Sequence, residues 1–214
     1  FFLGVRSVCP SATMEVRYTN SWADMALEKE TAEALIADGC VLISQHADTT
    51  GAPSACQAAQ EAGTTVYCVG YNIDMLPSAP TAALTSAQND WSVYYTYAFN
   101  CALKGEDIAT DWAKGYAEGA NMISKLGESC AAGTAEKVAE VEKGIKEGTL
   151  NVFDCSKFTV GGETVTSFLA IDTNGDFQGD EGEAITDGVF HESTLRSAPY
   201  FSLRIDGITE LNNN

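Results

Sequence analysis

The chain has 214 residues, 45% hydrophobic and 9% aromatic, which is enough for one large domain or two small ones with a buried core. Its 30 acidic and 12 basic residues leave a formal net charge of −18. That balance argues against nucleic acid or anionic membrane as a partner, because both require basic patches, and it reads as a solvated acidic surface.

Residues 1–7 carry no basic leader and no long apolar run, so they read as neither a signal peptide nor a membrane span. They look like the end of an amphipathic helix stopped by Pro10, with further chain expected upstream. Residues 14–18 form a first strand that runs into Asn20, Ser21 and Trp22. Ser21-x-x-Asp24 resembles a capping box and opens a helix with Leu27, Ala34 and Leu35 on its buried stripe, ended by Gly39. Val41-Leu42-Ile43 is the all-apolar strand expected when both sheet faces are covered, and it hands over to Gln45, His46 and Asp48. Thr49-Thr50-Gly51 turns into a second helix with Pro53 in its first turn, ended by Gly63. Residues 66–70 form the next strand and lead into Tyr71, Asn72 and Asp74. Leu84-Thr85-Ser86 is a fourth, followed by Asn89, Asp90 and Trp91. The order predicts βαβαβ-turn-β with a parallel sheet, and ligands of such sheets sit beyond the carboxyl ends of the strands.

The character changes near Ser86. Residues 90–103 predict an aromatic-rich helix with Tyr94, Tyr95, Phe99 and Ala102 on one buried face. Residues 111–127 read as a turn-rich return strand around Met122-Ile123, and residues 134–147 as a charged helix capped by Thr134. Strand-like segments follow at 152–153, 158–160 and 164–171. Asp172, Asn174, Asp176, Gln178, Asp180 and Glu183 have the spacing of a calcium loop, but Phe177 stands where the sharp turn demands Gly. An acidic surface loop is the favoured reading there, with calcium binding left open. Seven cysteines show no metal-ligand spacing and read as small buried thiols; if one disulfide forms, it is Cys101–Cys130.

The candidate site is an edge of mixed chemistry. Trp22 offers a stacking face, while Gln45, His46, Tyr71, Asn72 and Asp74 offer polar edges, and Trp91 stands at the far end of the same row. Asn72 and Asp74 fit equally a turn that caps its own backbone. No nucleophile sits beside His46 and no Gly-x-Ser-x-Gly elbow is present, so no catalytic residue, cofactor or metal is assigned. The Thr49-Thr50-Gly51 turn lacks the Walker Lys and the three-glycine spacing of dinucleotide sites, so a hydroxyl or ring nitrogen fits it better than a phosphate.

Several segments together resemble one family: Tyr18-Thr19-Asn20-Ser21-Trp22-x-Asp24, Gly39-Cys40-Val41-Leu42-Ile43-Ser44-Gln45-His46, Val69-Gly70-Tyr71-Asn72-Ile73-Asp74-Met75, Leu84-Thr85-Ser86, Ile145-x-x-Gly148-x-x-x-Val152-Phe153 and Ile205-Asp206-Gly207-Ile208. They are similar to the basic membrane protein family of ABC-transporter substrate-binding lipoproteins, which includes purine nucleoside receptors. The resemblance implies an α/β, type I periplasmic-binding-protein-like fold: parallel sheets flanked by helices in two lobes, with the N-terminal lobe largely missing from this chain. Residues 1–87 would be most of the second lobe, 88–130 a crossover belonging to the first lobe or hinge, and 131–214 a return segment with a C-terminal extension. It implies a purine base or nucleoside as the small-molecule ligand, an ABC permease as partner, and an extracytoplasmic, cell-surface location through a lipid anchor outside this chain.

The chain departs from the family pattern at the site. Asn20-Ser21-Trp22 stands where Gly-Ser-Phe is frequent, and Asn72 where the ribose-recognising carboxylate is frequent. More aromatic surface and less charge suit a free nucleobase such as adenine. The alternatives are a nucleoside-modifying hydrolase on a similar fold and a ligand-sensing regulatory domain. A lone lobe exposes its cleft face, so residues 1–214 by themselves are expected to be weakly stable and to bind ligand poorly. A cooperative melt together with tight binding by this fragment would refute that.

Overall fold

The computed structural model describes residues 1–110, 112–171, 181–192 and 203–212. Its helices are α1 (Phe2–Val8), α2 (Met25–Ala37), α3 (Gly51–Glu61), α4 (Trp91–Lys104) and α5 (Thr134–Lys146). Its strands are β1 (Met14–Val16), β2 (Leu42–Ser44), β3 (Tyr67–Tyr71), β4 (Ala83–Asn89), β5 (Asn121–Ile123), β6 (Leu169–Ile171), β7 (Glu181–Glu183), β8 (Ile185–Thr186), β9 (Val189–Phe190) and β10 (Ile208–Glu210). Two compact units form: Arg17–Glu147 with Asn212–Asn214, and Phe1–Val16 with Gly148–Leu211. Among the described residues, no helix is long and apolar enough to cross a membrane.

The larger unit is built on a four-stranded sheet of order β2-β3-β4-β5. Strands β2, β3 and β4 run parallel, with Ile43 opposite Cys68 and Gly70 opposite Ser86, while β5 pairs antiparallel with β4. This is the predicted parallel α/β arrangement from the second strand onward. The first predicted strand departs from it: β1 pairs in parallel with β10, Met14 opposite Ile208, in the smaller unit. Its three residues are all half-buried, so hydrophobicity alone did not reveal its partner.

Helix α2 starts later than the predicted Ser21 capping box: its N-cap is Asp24, whose carboxylate accepts the Leu27 amide at 3.0 Å, while the Ser21 hydroxyl accepts only the Ala23 amide at 3.4 Å. Its fully buried residues are Glu28 and Ala32, whereas Leu27, Ala34 and Leu35 are half-buried. Helix α3 buries Gly51, Ala52, Pro53, Ala55 and Cys56, a face of small residues that lets its backbone approach its neighbours closely. The core of the unit joins these to Ile43, Val66, Cys68, Met75, Ala79, Ala82 and Ala83. Cys56 and Cys68 lie together there, and the hydrogen bond between them, then burial, raises the pKa of Cys56 above its ordinary value. All seven cysteines are thiols, four of them buried. The Cys101–Cys130 pairing is therefore corrected: Cys130 instead directs its thiol to the Leu84 carbonyl at 3.4 Å.

Helix α4 forms where expected, capped by Asp90, which accepts from the Ser92 amide, and ended by Gly105 in the left-handed region. Its predicted buried face is not what the structure shows. Only Cys101 is buried, and Trp91, Tyr95, Phe99 and Leu103 form a stripe that is at least half exposed. Tyr94 and Tyr97 instead pack against Trp112, at 5.0 and 6.2 Å between ring centroids. Helix α5 is capped by Gly133 rather than Thr134 and buries no residue.

In the smaller unit Phe2, Cys155, Phe158, Ala170, Ala184, Ile185, Phe190 and Ile205 make a separate core. Two carboxylates organise its loops. Asp206 accepts from the Thr159 hydroxyl at 2.5 Å and from the Gly161 and Gly162 amides at 2.9 and 2.8 Å. Glu183 accepts from the Phe168 and Ile185 amides and the Ser167 hydroxyl. Positions 172–180 of the calcium-like spacing lie outside the described residues.

Hydrogen bonds to the ionised form hold both carboxyls below the usual carboxylate range, led by Thr159 for Asp206 and by the Phe168 amide for Glu183. A depressed folded-state pKa contributes stability that is present above the unfolded pKa and lost as pH falls through the folded value. Asp206→Asn should therefore lower the urea midpoint at pH 7, and the gap from the parent should close below about pH 4. An unchanged gap down to pH 3 would overturn this. In the larger unit, a Cβ on Gly70 would lie 2.4 Å from Met75 Cγ and 2.5 Å from Ser86 Oγ. Gly70→Ala is expected to cost roughly 1–3 kcal/mol by overpacking, read as a lower denaturation midpoint.

Candidate ligand-binding site

The carboxyl ends of β2 and β3 bring two aromatic side chains side by side, and the segment before α2 adds a third. His46 follows β2, Tyr71 ends β3, and their ring centroids lie 4.8 Å apart at 67°. Trp22 also meets His46, at 5.8 Å and 72°. The imidazole is thus in edge-type contact with both indole and phenol, an arrangement that aromatic quadrupoles favour. Trp22 remains 68% exposed, so much of its ring is open to solvent.

Backbone geometry delivers these rings. Asn20 and Asn72 adopt left-handed conformations, φ +51° and +70°, where asparagine is tolerated far better than branched residues. Asn20 turns the chain ahead of Trp22, and Asn72 turns it just after Tyr71. The Asp48 amide donates to the Trp22 carbonyl at 2.7 Å, which fastens the Trp22 loop to the loop after β2. Gln45 folds over that same loop: its Nε2 donates to the Ala47 and Thr49 carbonyls at 2.8 Å each, while its buried Oε1 finds no partner among the described residues.

The predicted residues therefore separate. Trp22, His46 and Tyr71 come together as one set. Gln45 braces the loop that carries His46. Asn72 is half-buried, and its carboxamide makes no hydrogen bond among the described residues. Asp74 Oδ1 accepts the Leu76 amide at 3.0 Å, the self-capping turn that sequence left open, with its second oxygen uncommitted. Trp91 belongs to a different stack, with Tyr95 at 6.3 Å along α4. The ring contacts of His46 are with Trp22 and Tyr71, and among the described residues no Ser or Cys hydrogen-bonds its imidazole.

Sequence reasoning missed Glu28, a carboxylate only 3% exposed. Its Oε2 accepts the Thr49 hydroxyl at 2.6 Å, and Thr49 Oγ1 in turn accepts the Gly51 amide at the start of α3 at 3.1 Å. The available signal was a Glu four residues after the N-cap on an otherwise apolar stripe.

A concavity of about 560 Å³ lies in the smaller unit, lined by Asn151, Asp154, Cys155, Thr164, Ile185 and Asp187 among others. Its Asp154 carboxylate is already taken by the Ser156 amide and hydroxyl and by Lys157. The aromatic set has convergent, uncommitted groups and is the stronger candidate.

Comparison with known proteins agrees with the architecture. Residues 1–152 match the family model described as ABC transporter substrate-binding protein PnrA-like. A putative ABC transporter glucose-binding protein of Haloferax volcanii is 34% identical over 181 residues, 85% of this chain and 44% of that protein. A purine-binding protein of Brucella abortus is 33% identical over 154 residues, 72% of this chain and 42% of that protein. The chain thus spans less than half the length of these relatives. Among solved structures, ABC solute-binding proteins from Aeropyrum pernix K1 and Conexibacter woesei superpose with TM-scores of 0.58 and 0.54 at 16% and 17% identity. They cover 75% and 69% of this chain, and 52% and 49% of their own. A transcriptional activator of the comK gene from Bacillus halodurans shares the fold at 0.53 and 15%, over 63% of this chain and 47% of its own, so fold alone does not fix function. With a matching family model over more than half its length, this chain belongs to the PnrA-like family of ABC transporter substrate-binding proteins.

Proposed function

We propose that the chain is part of an extracytoplasmic receptor that binds a purine base or nucleoside against the Trp22–His46–Tyr71 set and delivers it to an ABC permease. The observation that carries this reading is the open Trp22 ring beside an imidazole and a phenol at the carboxyl edge of a parallel sheet. A planar heterocycle stacks on indole, and its edge nitrogens meet His46 and the Asn72 carboxamide, which can donate and accept, and the free oxygen of Asp74, which accepts. Affinity comes from desolvated stacking and a few placed hydrogen bonds, with no chemical step. Closure of a second lobe over the ligand would signal occupancy to the permease by population shift. A lipid anchor outside this chain would hold the receptor at the cell surface.

The purine-binding relative supports a nucleobase, and the glucose-binding relative supports a sugar, whose C–H face also packs on indole. Asn72 in place of a carboxylate favours the free base over the nucleoside. The deciding experiment is a thermal-shift screen of the full-length parent against adenine, guanine, their nucleosides, glucose and amino acids. Stabilisation by adenine or guanine is the expected result, with Trp22→Ala weakening binding about tenfold, equivalent to about 1.4 kcal/mol. A response to glucose or amino acids alone overturns the purine assignment. Turnover of a nucleoside would favour the hydrolase instead.

A further inference from the structure

A buried carboxylate is costly unless its oxygens are satisfied, so one that persists at 3% exposure marks a place where its geometry matters. Glu28 stands where the N-terminal ends of α2 and α3 meet. It lies in the first turn of α2, and the Gly51 position that opens α3 is so close that a Cβ there would lie 2.9 Å from Glu28 Cβ and 2.5 Å from the Met25 carbonyl. Both helix ends present positive dipole character to an anion. The two loops that emerge at this junction are those that carry Trp22 and His46.

We propose that Glu28 is a positioning residue for the aromatic set. Its Oε1 faces the Asp24 amide at 3.4 Å, next to the Trp22 loop. Its Oε2 receives the Thr49 hydroxyl at 2.6 Å, and Thr49 closes the His46 loop through its carbonyl, which accepts Gln45 Nε2 at 2.8 Å. One side chain thereby spans both loops, and the Asp48 amide on the Trp22 carbonyl is the second tie. Trp22 is mostly exposed and touches His46 only edge-on, so little else sets its angle. The bridge fixes the distance between stacking face and imidazole before a ligand arrives, which reduces the ordering cost of binding.

The test reads the ring arrangement without a ligand. In the full-length protein, the imidazole C–H signal of His46 is identified by difference against His46→Asn. Flanked by two aromatic rings, it should carry a ring-current shift. Glu28→Ala and Thr49→Val should each remove at least half of that shift in the folded population, whereas Glu28→Gln, which keeps an acceptor oxygen, should retain most of it. A purely structural role would lower the melting temperature and leave the folded-state signal in place, and that result overturns the proposal. If Glu28→Ala does not fold, Thr49→Val decides, because it removes the donor while keeping the shape. The consequence for affinity rests on the proposed ligand reading: adenine binding should weaken about fivefold in Glu28→Ala. Absence of adenine binding by the parent would count against that reading alone, since the ring-current result stands independently.

Discussion

The parallel pairing of β2, β3 and β4 is the constraint on which the rest depends. Strands that run the same way end at the same edge, and the chain must return across a face of the sheet before each new strand begins. Helix α3 makes the first return, and its small-residue face of Gly51, Ala52, Ala55 and Cys56 allows close packing. The second return is a compact turn segment that buries Met75, Ala79 and Ala82. Because the strands are short and nearly in step, Gln45-His46 and Tyr71-Asn72 emerge beside each other. The site follows from this register and from no local motif.

The acidity has two structural uses besides solvation. Asp206, Glu183, Asp154, Asp90 and Asp24 each accept backbone amides at a turn or helix start, giving orphan N–H groups a charged partner. These carboxylates are exposed or half-buried and hold the loops from the surface. Glu28 is different: it is buried, joins two helix ends, and works where water cannot substitute for it.

Aromatic residues are divided in a similar way. Trp22, His46 and Tyr71 are drawn from three separate segments into one contact set, whereas Trp91, Tyr95 and Phe99 stack along a single helix. The second group comes from local periodicity of three to four residues. The first exists only because distant loops are pinned together.

What sequence determined by itself was local and periodic. The helices after Ser21, Thr50 and Ser86, the Pro53 turn that opens α3, the Gly105 stop and the apolar strands around Ile43 and Val69 were all legible, since each depends on neighbours a few residues away, although the α2 cap fell on Asp24 and not on Ser21. The family could be recognised from the same strand-end segments, which match a known model. Tertiary structure alone decided the rest. It paired β1 with β10, some 190 residues later in the chain, because a three-residue strand carries no record of its partner. It left the Tyr95–Phe99 face of α4 open, because periodicity shows that a helix has an apolar side but not whether anything covers it. It turned Asp74 back onto the Leu76 amide, and it brought Glu28 to Thr49 across 21 positions, because a hydrogen bond between side chains depends on where two helix ends meet in space.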